Sequence, residues 1–229
     1  MKRRLLVVLA CAGLFALAAC GVIQEQVDAG VYERIHRQLV QMESFSAQAT
    51  VTYFSNSNTH TYETIQFARA SGEYRIEVVS PANVAGNVTV FDGETISQFN
   101  PRLDGRITQM THESPERLEI LITSFVRNFV RSQEVTVVAS TLDEAVTTVL
   151  EAPIPGEHPY LATSRLWVCN DTLLPMQITI YDTAGVERIA VVYNFFEFDT
   201  VLDNILFTTW HHTGIIMHYY DDYYYSYEY

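Results

Sequence analysis

Residues Glu73–Met110 read EYRIEVVSPANVAGNVTVFDGETISQFNPRLDGRITQM, and this stretch decides the fold class. Tyr74, Ile76 and Val78 alternate with Glu73, Arg75 and Glu77. That period of two predicts a strand with one buried face and one wet face, and Pro81 stops it. A second run, Asn87 to Phe91, meets Asp92-Gly93, and the chain returns through Thr95 to Asn100, which predicts a hairpin. Two registers are open. A two-residue loop sets Val90 opposite Thr95 and a three-residue loop sets it opposite Ile96; the second pairs like faces better and is the one expected.

Outward from this centre the same alternation continues. Upstream, Val31, Ile35, Leu39 and Met42 recur at helical spacing. Ser44-Phe45-Ser46-Ala47 then opens a strand over Gln48 to Phe54, Asn56-Ser57-Asn58 turns, and Thr61 to Ala70 returns. Downstream, Ser114-Pro115-Glu116 is a helix start: a hydroxyl N-cap, proline at the first helical position and an acid in the first turn. Leu118, Leu121, Ile122, Phe125 and Phe129 form its apolar stripe, with Glu119, Arg127 and Arg131 placed away from it. Further strands are predicted over Glu134–Ala139, Ala145–Ala152, Tyr160–Cys169, Leu174–Tyr181 and Val186–Phe196, and Asp203 to Phe207 closes the domain.

The order aromatic-Arg-x-Glu (Tyr74 to Glu77), Pro81, a strand, Asp92-Gly93, a strand, Asn100-Pro101 and a short strand resembles the lipoprotein-carrier (LolA-like) superfamily. So does the later order Leu174-Pro175, strand, Asp182-x-x-Gly185, strand, Asp203 and Phe207. The resemblance runs in patches from Tyr32 to Phe207. It implies an α+β fold, an incomplete antiparallel β-barrel with helices covering an apolar cavity on the concave face. On that fold the stripe Leu118, Leu121, Ile122, Phe125 and Phe129 would act as lid and plug, facing Tyr74, Ile76 and Val78. An arginine at the position of Arg69 would latch the helical lid. Leu121-Ile-Thr-Ser-Phe followed by Asn128-Phe resembles, more narrowly, the GerS-type germination lipoproteins of clostridial spore formers.

Met1-Lys2-Arg3-Arg4 and the apolar run Leu5–Ala19 have the charge and length of a signal peptide. The run ends Leu17-Ala18-Ala19-Cys20-Gly21, a bacterial lipobox that makes Cys20 the acylated N-terminus. Two or three acyl chains, each contributing about 0.8 kcal/mol per buried CH₂, hold a protein stably on a membrane. The expected organisation is therefore a signal peptide over 1–19, a lipidated cysteine and tether over 20–30, a half-barrel domain over 31–208 and a tail over 209–229. The location expected is the extracytoplasmic face of the cell membrane.

Net charge is −13, and loss of Lys2, Arg3 and Arg4 with the signal leaves 11 cations against 27 acids, a balance of −16. Such a chain has no basic patch to release counterions from nucleic acid, which is excluded as a partner. Lys2 is the only lysine, so Schiff-base and P-loop lysine chemistry are excluded from the processed chain. Cys11 leaves with the signal and Cys20 is acylated, so Cys169 stands alone; sharing a strand face with Trp167, it reads as a small buried hydrophobe.

Catalytic constellations are missing from the sequence: it has no Gly-x-Ser-x-Gly, His-Glu-x-x-His or Cys-x-x-Cys and no Gly-rich phosphate loop. His112 beside Glu113 reads as a loop pair, and Glu113, Glu116 and Glu119 as a solvated helix face. His211, His212 and His218 lack zinc-site spacing with any carboxylate or thiol. No catalytic residue, cofactor or metal is expected. The Tyr/Asp-rich tail admits three readings: a disordered acidic end, an added edge strand, or a partner surface. Two functions remain open. The GerS-type resemblance implies a non-catalytic germination or cortex role through a partner N-acetylmuramoyl-L-alanine amidase. The carrier resemblance implies a receptor with lipid in the cavity. The 12 Phe, 14 Tyr and 2 Trp favour a filled or narrow cavity and the first function. The open strand edges of a half-barrel also suit a strand-exchanged homodimer, which a concentration-independent monomer mass in light scattering would exclude.

Overall fold

The computed structural model describes residues 27–103, 106–110 and 118–208. Helix α1 (Ala29–Gln41) opens the described chain, and Asp28 caps it by accepting from the amides of Gly30 at 2.7 Å and Val31 at 3.3 Å. Two strand meanders follow, separated by helix α2 (Ile122–Arg131). The first comprises β1 (Ser44–Phe54), β2 (Thr59–Arg69), β3 (Tyr74–Ser80), β4 (Val88–Phe91), β5 (Ile96–Asn100) and β6 (Arg106–Met110). The second comprises β7 (Thr136–Leu142), β8 (Ala145–Pro153), β9 (Thr163–Cys169), β10 (Pro175–Tyr181) and β11 (Glu187–Phe198). A 3-10 turn, η1 (Asn204–Phe207), ends the described chain.

The strands form one 11-stranded antiparallel sheet in the order β6-β5-β4-β3-β2-β1-β11-β10-β9-β8-β7. The two meanders join where β1 pairs with β11, in a register that runs from Phe45 opposite Phe198 to Tyr53 opposite Ile189. Among the described residues the sheet is therefore open, with β6 and β7 as its edges. This is the antiparallel, incompletely closed sheet with helices over one face that the resemblance implied.

The two faces are covered differently. On the inner face Phe45, Ala47, Ala49 and Val51 of β1, Leu150 and Ala152 of β8, Leu166 of β9 and Ile178 and Ile180 of β10 pack under Ile35 and Leu39 of α1 and under Leu121, Ile122, Phe125 and Phe129. At about 25 cal/mol per Å² of apolar surface removed from water, this cluster is the main source of stability. On the outer face a smaller cluster forms where Leu202, Leu206 and Phe207 cover Phe67, Val88 and Val90.

That second cluster overturns the expectation of a wet face on β3. Arg75 is only 2 % exposed, because the C-terminal segment lies across it and the Leu206 carbonyl accepts from its Nη1 at 3.5 Å. The hairpin register also differs from both expected forms. Val90 lies opposite Ser97 and Phe91 opposite Ile96, so the loop is Asp92–Thr95. The cause is local: the Asp92 carboxylate accepts from the amides of Glu94 at 2.9 Å and Thr95 at 2.7 Å, and Gly93 takes φ +100°. Strand β1 begins at Ser44, earlier than predicted, since Ser44 already pairs with Arg69.

The single helix expected from Ser114 is broken. Leu121 has extended backbone (φ −93°, ψ 134°), and α2 starts only after it. The start at Ser114-Pro115-Glu116, the pair His112 and Glu113, the lipobox with Cys20, and the tail with His211, His212 and His218 lie outside the described residues.

Candidate functional site

The lid residues predicted from sequence come together on the inner face. Leu121, Ile122, Phe125 and Phe129 are buried and Leu118 packs against them half-buried. The Phe125 and Phe129 rings stack at 5.8 Å, and His36 of α1 lies 6.5 Å from Phe129, joining the two helices. Tyr74 and Ile76 belong to the same cluster, with Tyr74 against the Phe91 ring at 5.7 Å. The large side chains expected to narrow the inner space do so: Phe45 stacks on Phe196 at 5.2 Å, and Tyr193 and Phe198 meet Phe196 edge-on.

Glu119 does not belong to a solvated face. The Asn128 amide donates to its Oε2 at 3.1 Å, and burial pushes its carboxyl above the ordinary glutamate value of 4.5 against the pull of Asn128 and Arg127. Cys169 is half-buried rather than buried, at the end of β9. Burial raises its thiol pKa, but hydrogen bonding from Thr172 and the Asp171 and Thr172 backbone outweighs it and holds the thiol below its usual value.

Arg69 is a latch, though not of the helical lid. Its side chain points to the outer face, where Nη2 donates to the Leu202 carbonyl at 2.6 Å and the guanidinium lies 4.6 Å from the centre of the Phe207 ring. Glu73 stands 3.9 Å away. It thus ties the segment Leu202–Phe207 to the sheet, with Arg75 as its buried companion, held also by Glu77 at 3.3 Å. Parity explains the face: Ala68 pairs with Tyr74 on the inside, so its neighbour Arg69 must point out.

Beyond α1 and α2 the described residues of the inner face form a trough of about 400 Å³ over β1 to β5. Val78, expected in the lid site, lies here. Tyr53, His60, Tyr62, Thr64, Asn87, Thr89 and Gln98 share the lining with Val51, Ile76 and Ile120. Tyr62 and Thr64, two residues apart on β2, share one side of the strand by alternation, but nothing local in the sequence says which side is inside. Among the described residues no group of His, Cys, Asp and Glu is placed to hold a metal ion.

Comparison with known proteins gives one family: the model described as "Sporulation protein YdcC-like" matches residues 2–207. No curated protein matches. Among solved structures the chain is similar to an uncharacterized conserved protein from Thermus thermophilus, at 12 % identity and TM-score 0.49 over 79 % of this chain and 93 % of that one. It is similar to the GerS lipoprotein–CwlD amidase complex from Clostridioides difficile at 25 % identity and TM-score 0.45, covering 78 % of this chain and 98 % of that one. A LolA superfamily protein from Nitrosomonas europaea matches at 12 % identity and TM-score 0.41, over 78 % and 96 % of the two chains.

Proposed function

The chain belongs to the sporulation protein YdcC-like family, and on that premise we propose that it is a membrane-anchored lipoprotein that acts without catalysis in spore cortex modification or germination, by binding and activating a cell-wall amidase. Family membership over residues 2–207 is the observation that carries the reading. The GerS lipoprotein of Clostridioides difficile has been solved in complex with the CwlD amidase; the reading assigns this chain an N-acetylmuramoyl-L-alanine amidase as its partner. Acylation at Cys20 would hold the domain on the extracytoplasmic face of the membrane.

The open sheet supports this reading by offering an edge. Strand β7 spans seven residues, TVVASTL, without a charge or a proline, the devices by which edge strands usually avoid pairing. An extended segment of a partner can add to such an edge through main-chain hydrogen bonds. The inner face supports it too, since its helix-covered part is occupied by the protein's own aromatic rings.

The test is capture of the tagged full-length protein from sporulating cells, with native mass spectrometry of the eluate. A stoichiometric amidase is the expected result. Recovery of a bound lipid without any amidase would replace the reading with the carrier function.

A further inference from the structure

We propose that the two helices form a membrane-facing surface: α1 and α2 lie toward an anionic bilayer to which Cys20 ties the chain, and the outer face of the sheet points away from it. The inference rests on the anchor at Cys20 and not on the amidase partner.

Charge singles out the helices. Within their spans they hold four arginines, Arg34, Arg37, Arg127 and Arg131, and one acid, Glu33. All the other residues from Cys20 onward hold seven cations against 26 acids. Flanking acids temper this balance but keep the contrast. Counted over 28–43 and 111–134, the ratio is five cations to seven acids, against six to 20 elsewhere. An anionic surface repels the rest of the chain more strongly than this layer.

The arginines also differ in what holds them. On the outer face of the sheet each is paired with a neighbouring acid: Arg69 with Glu73, Arg75 with Glu77, Arg165 with Glu151 and Arg188 with Asp182. On the helices only Arg37 is so paired, with Glu33 at 2.9 Å in an exposed pair one turn apart. Arg34, Arg127 and Arg131 are exposed and form no ion pair among the described residues. Apolar side chains stand among them. Val40 is 47 % exposed and Val130 54 %, and both line a groove between the helices with Arg127 and Arg131. Such a surface suits lipid headgroups, because guanidinium groups pair with phosphates while short apolar side chains enter the interface.

The tether decides between lipid and an acidic protein. Eight residues lead from Cys20 to Asp28, so the start of α1 lies no more than about 29 Å from the acylated end. A domain of this size is roughly 40 Å across, too wide for α1 to start on the side far from the bilayer. The same arginines would attract an acidic partner, but the bilayer is held within reach of them.

The test uses the full-length, processed protein in nanodiscs of phosphatidylglycerol and phosphatidylethanolamine that contain a lipid spin-labelled at its headgroup. One fluorophore at a time is attached through Val40→Cys or Val130→Cys on the helices, and through Val79→Cys or Val192→Cys at exposed positions of the outer face, with Cys169→Ser as background. Quenching on the helices is expected to exceed that on the outer face about threefold or more, and the excess should fall by about half or more in about 0.5 M salt. Combining Arg34→Gln, Arg127→Gln and Arg131→Gln should remove it as well, at unchanged melting temperature; if that variant melts early, the salt series decides. Equal quenching on the two faces, stronger quenching on the outer face, or an excess indifferent to salt and to loss of the arginines would overturn the inference. Intact mass reads the anchor separately. A chain without acyl groups on Cys20 ends the anchor reading and this inference together, whereas acylated protein with equal quenching ends the inference alone.

Discussion

Arg69 donates to the carbonyl of Leu202, 133 residues away in sequence, at 2.6 Å, and this bond ties the segment Leu202–Phe207 to the outer face of the sheet. The same guanidinium lies over the Phe207 ring, so one side chain holds both ends of the segment. Arg69→Ala removes a charge-assisted hydrogen bond and a cation–π contact, and it should destabilise the protein by about 1–3 kcal/mol. Hydrogen exchange at the amides of Leu206 and Thr208 should accelerate while β1 and β11 keep their protection. Uniform acceleration across the sheet would show that the segment is not a separable unit.

Arg75 and Glu77 form a pair at 3.3 Å with the guanidinium almost fully buried. Arg75→Met alone leaves Glu77 with its carboxyl buried and unpaired, at a cost of about 3–5 kcal/mol in urea unfolding. Adding Glu77→Leu should restore most of that loss, because apolar replacement of a buried pair is close to neutral. Equal stability of the single and double variants would mean that the pair is not coupled.

Glu119 gives a pH signature. Its carboxyl is raised above 4.5 chiefly by burial, so the folded protein binds this proton more tightly than the unfolded chain does. Stability must then fall as pH rises from about 4.5 through the raised folded value, and the loss is complete above it. Glu119→Gln keeps the acceptor for Asn128 and removes the titration. The variant should melt higher than the natural protein at pH 7, and the difference should vanish at pH 4. A difference that persists at pH 4 would assign the effect to packing instead.

Phe125 is 1 % exposed and stacks on Phe129 beneath the two helices. Phe125→Ala should destabilise the fold by about 3–5 kcal/mol in denaturant titration, whereas truncating half-exposed Val130 on the same helix should change it by less than about 1 kcal/mol. Similar losses at both positions would argue that α2 is not seated as described.

The hairpin between β7 and β8 turns on Asp143 and Glu144, both at positive φ (48° and 67°). Such turns favour Asn-Gly. The pair Asp143→Asn and Glu144→Gly should stabilise the protein by about 0.5–1 kcal/mol, read as a higher urea midpoint at unchanged slope.

How far the sequence carried the fold varies along the chain. Strands, turns and α1 were legible because each is written locally: alternation gives a strand, the recurrence of Val31, Ile35, Leu39 and Met42 a helix, Asp182-x-x-Gly185 a turn. The four-residue Asp92–Thr95 loop was not, since the choice among loop lengths rests on side-chain to backbone bonds from Asp92 that no hydrophobic pattern encodes. The break at Leu121 was hidden because the apolar stripe passes through it without interruption and both segments bury it in the same cluster.

By itself the sequence determined the antiparallel class, the apolar stripe Leu118, Leu121, Ile122, Phe125 and Phe129 that had to be covered, and the abundance of large aromatic side chains. These follow from spacing and side-chain volume, which are properties of the chain. Only the tertiary structure decided which side of each strand faces the helices, and therefore that Arg69 and Arg75 serve the C-terminal segment and that Tyr62, Thr89 and Gln98 line one trough. Alternation separates two faces but does not name them. The name comes from what lies across the sheet, and here the two covers, α2 and the segment Leu202–Phe207, arrive from distant parts of the chain.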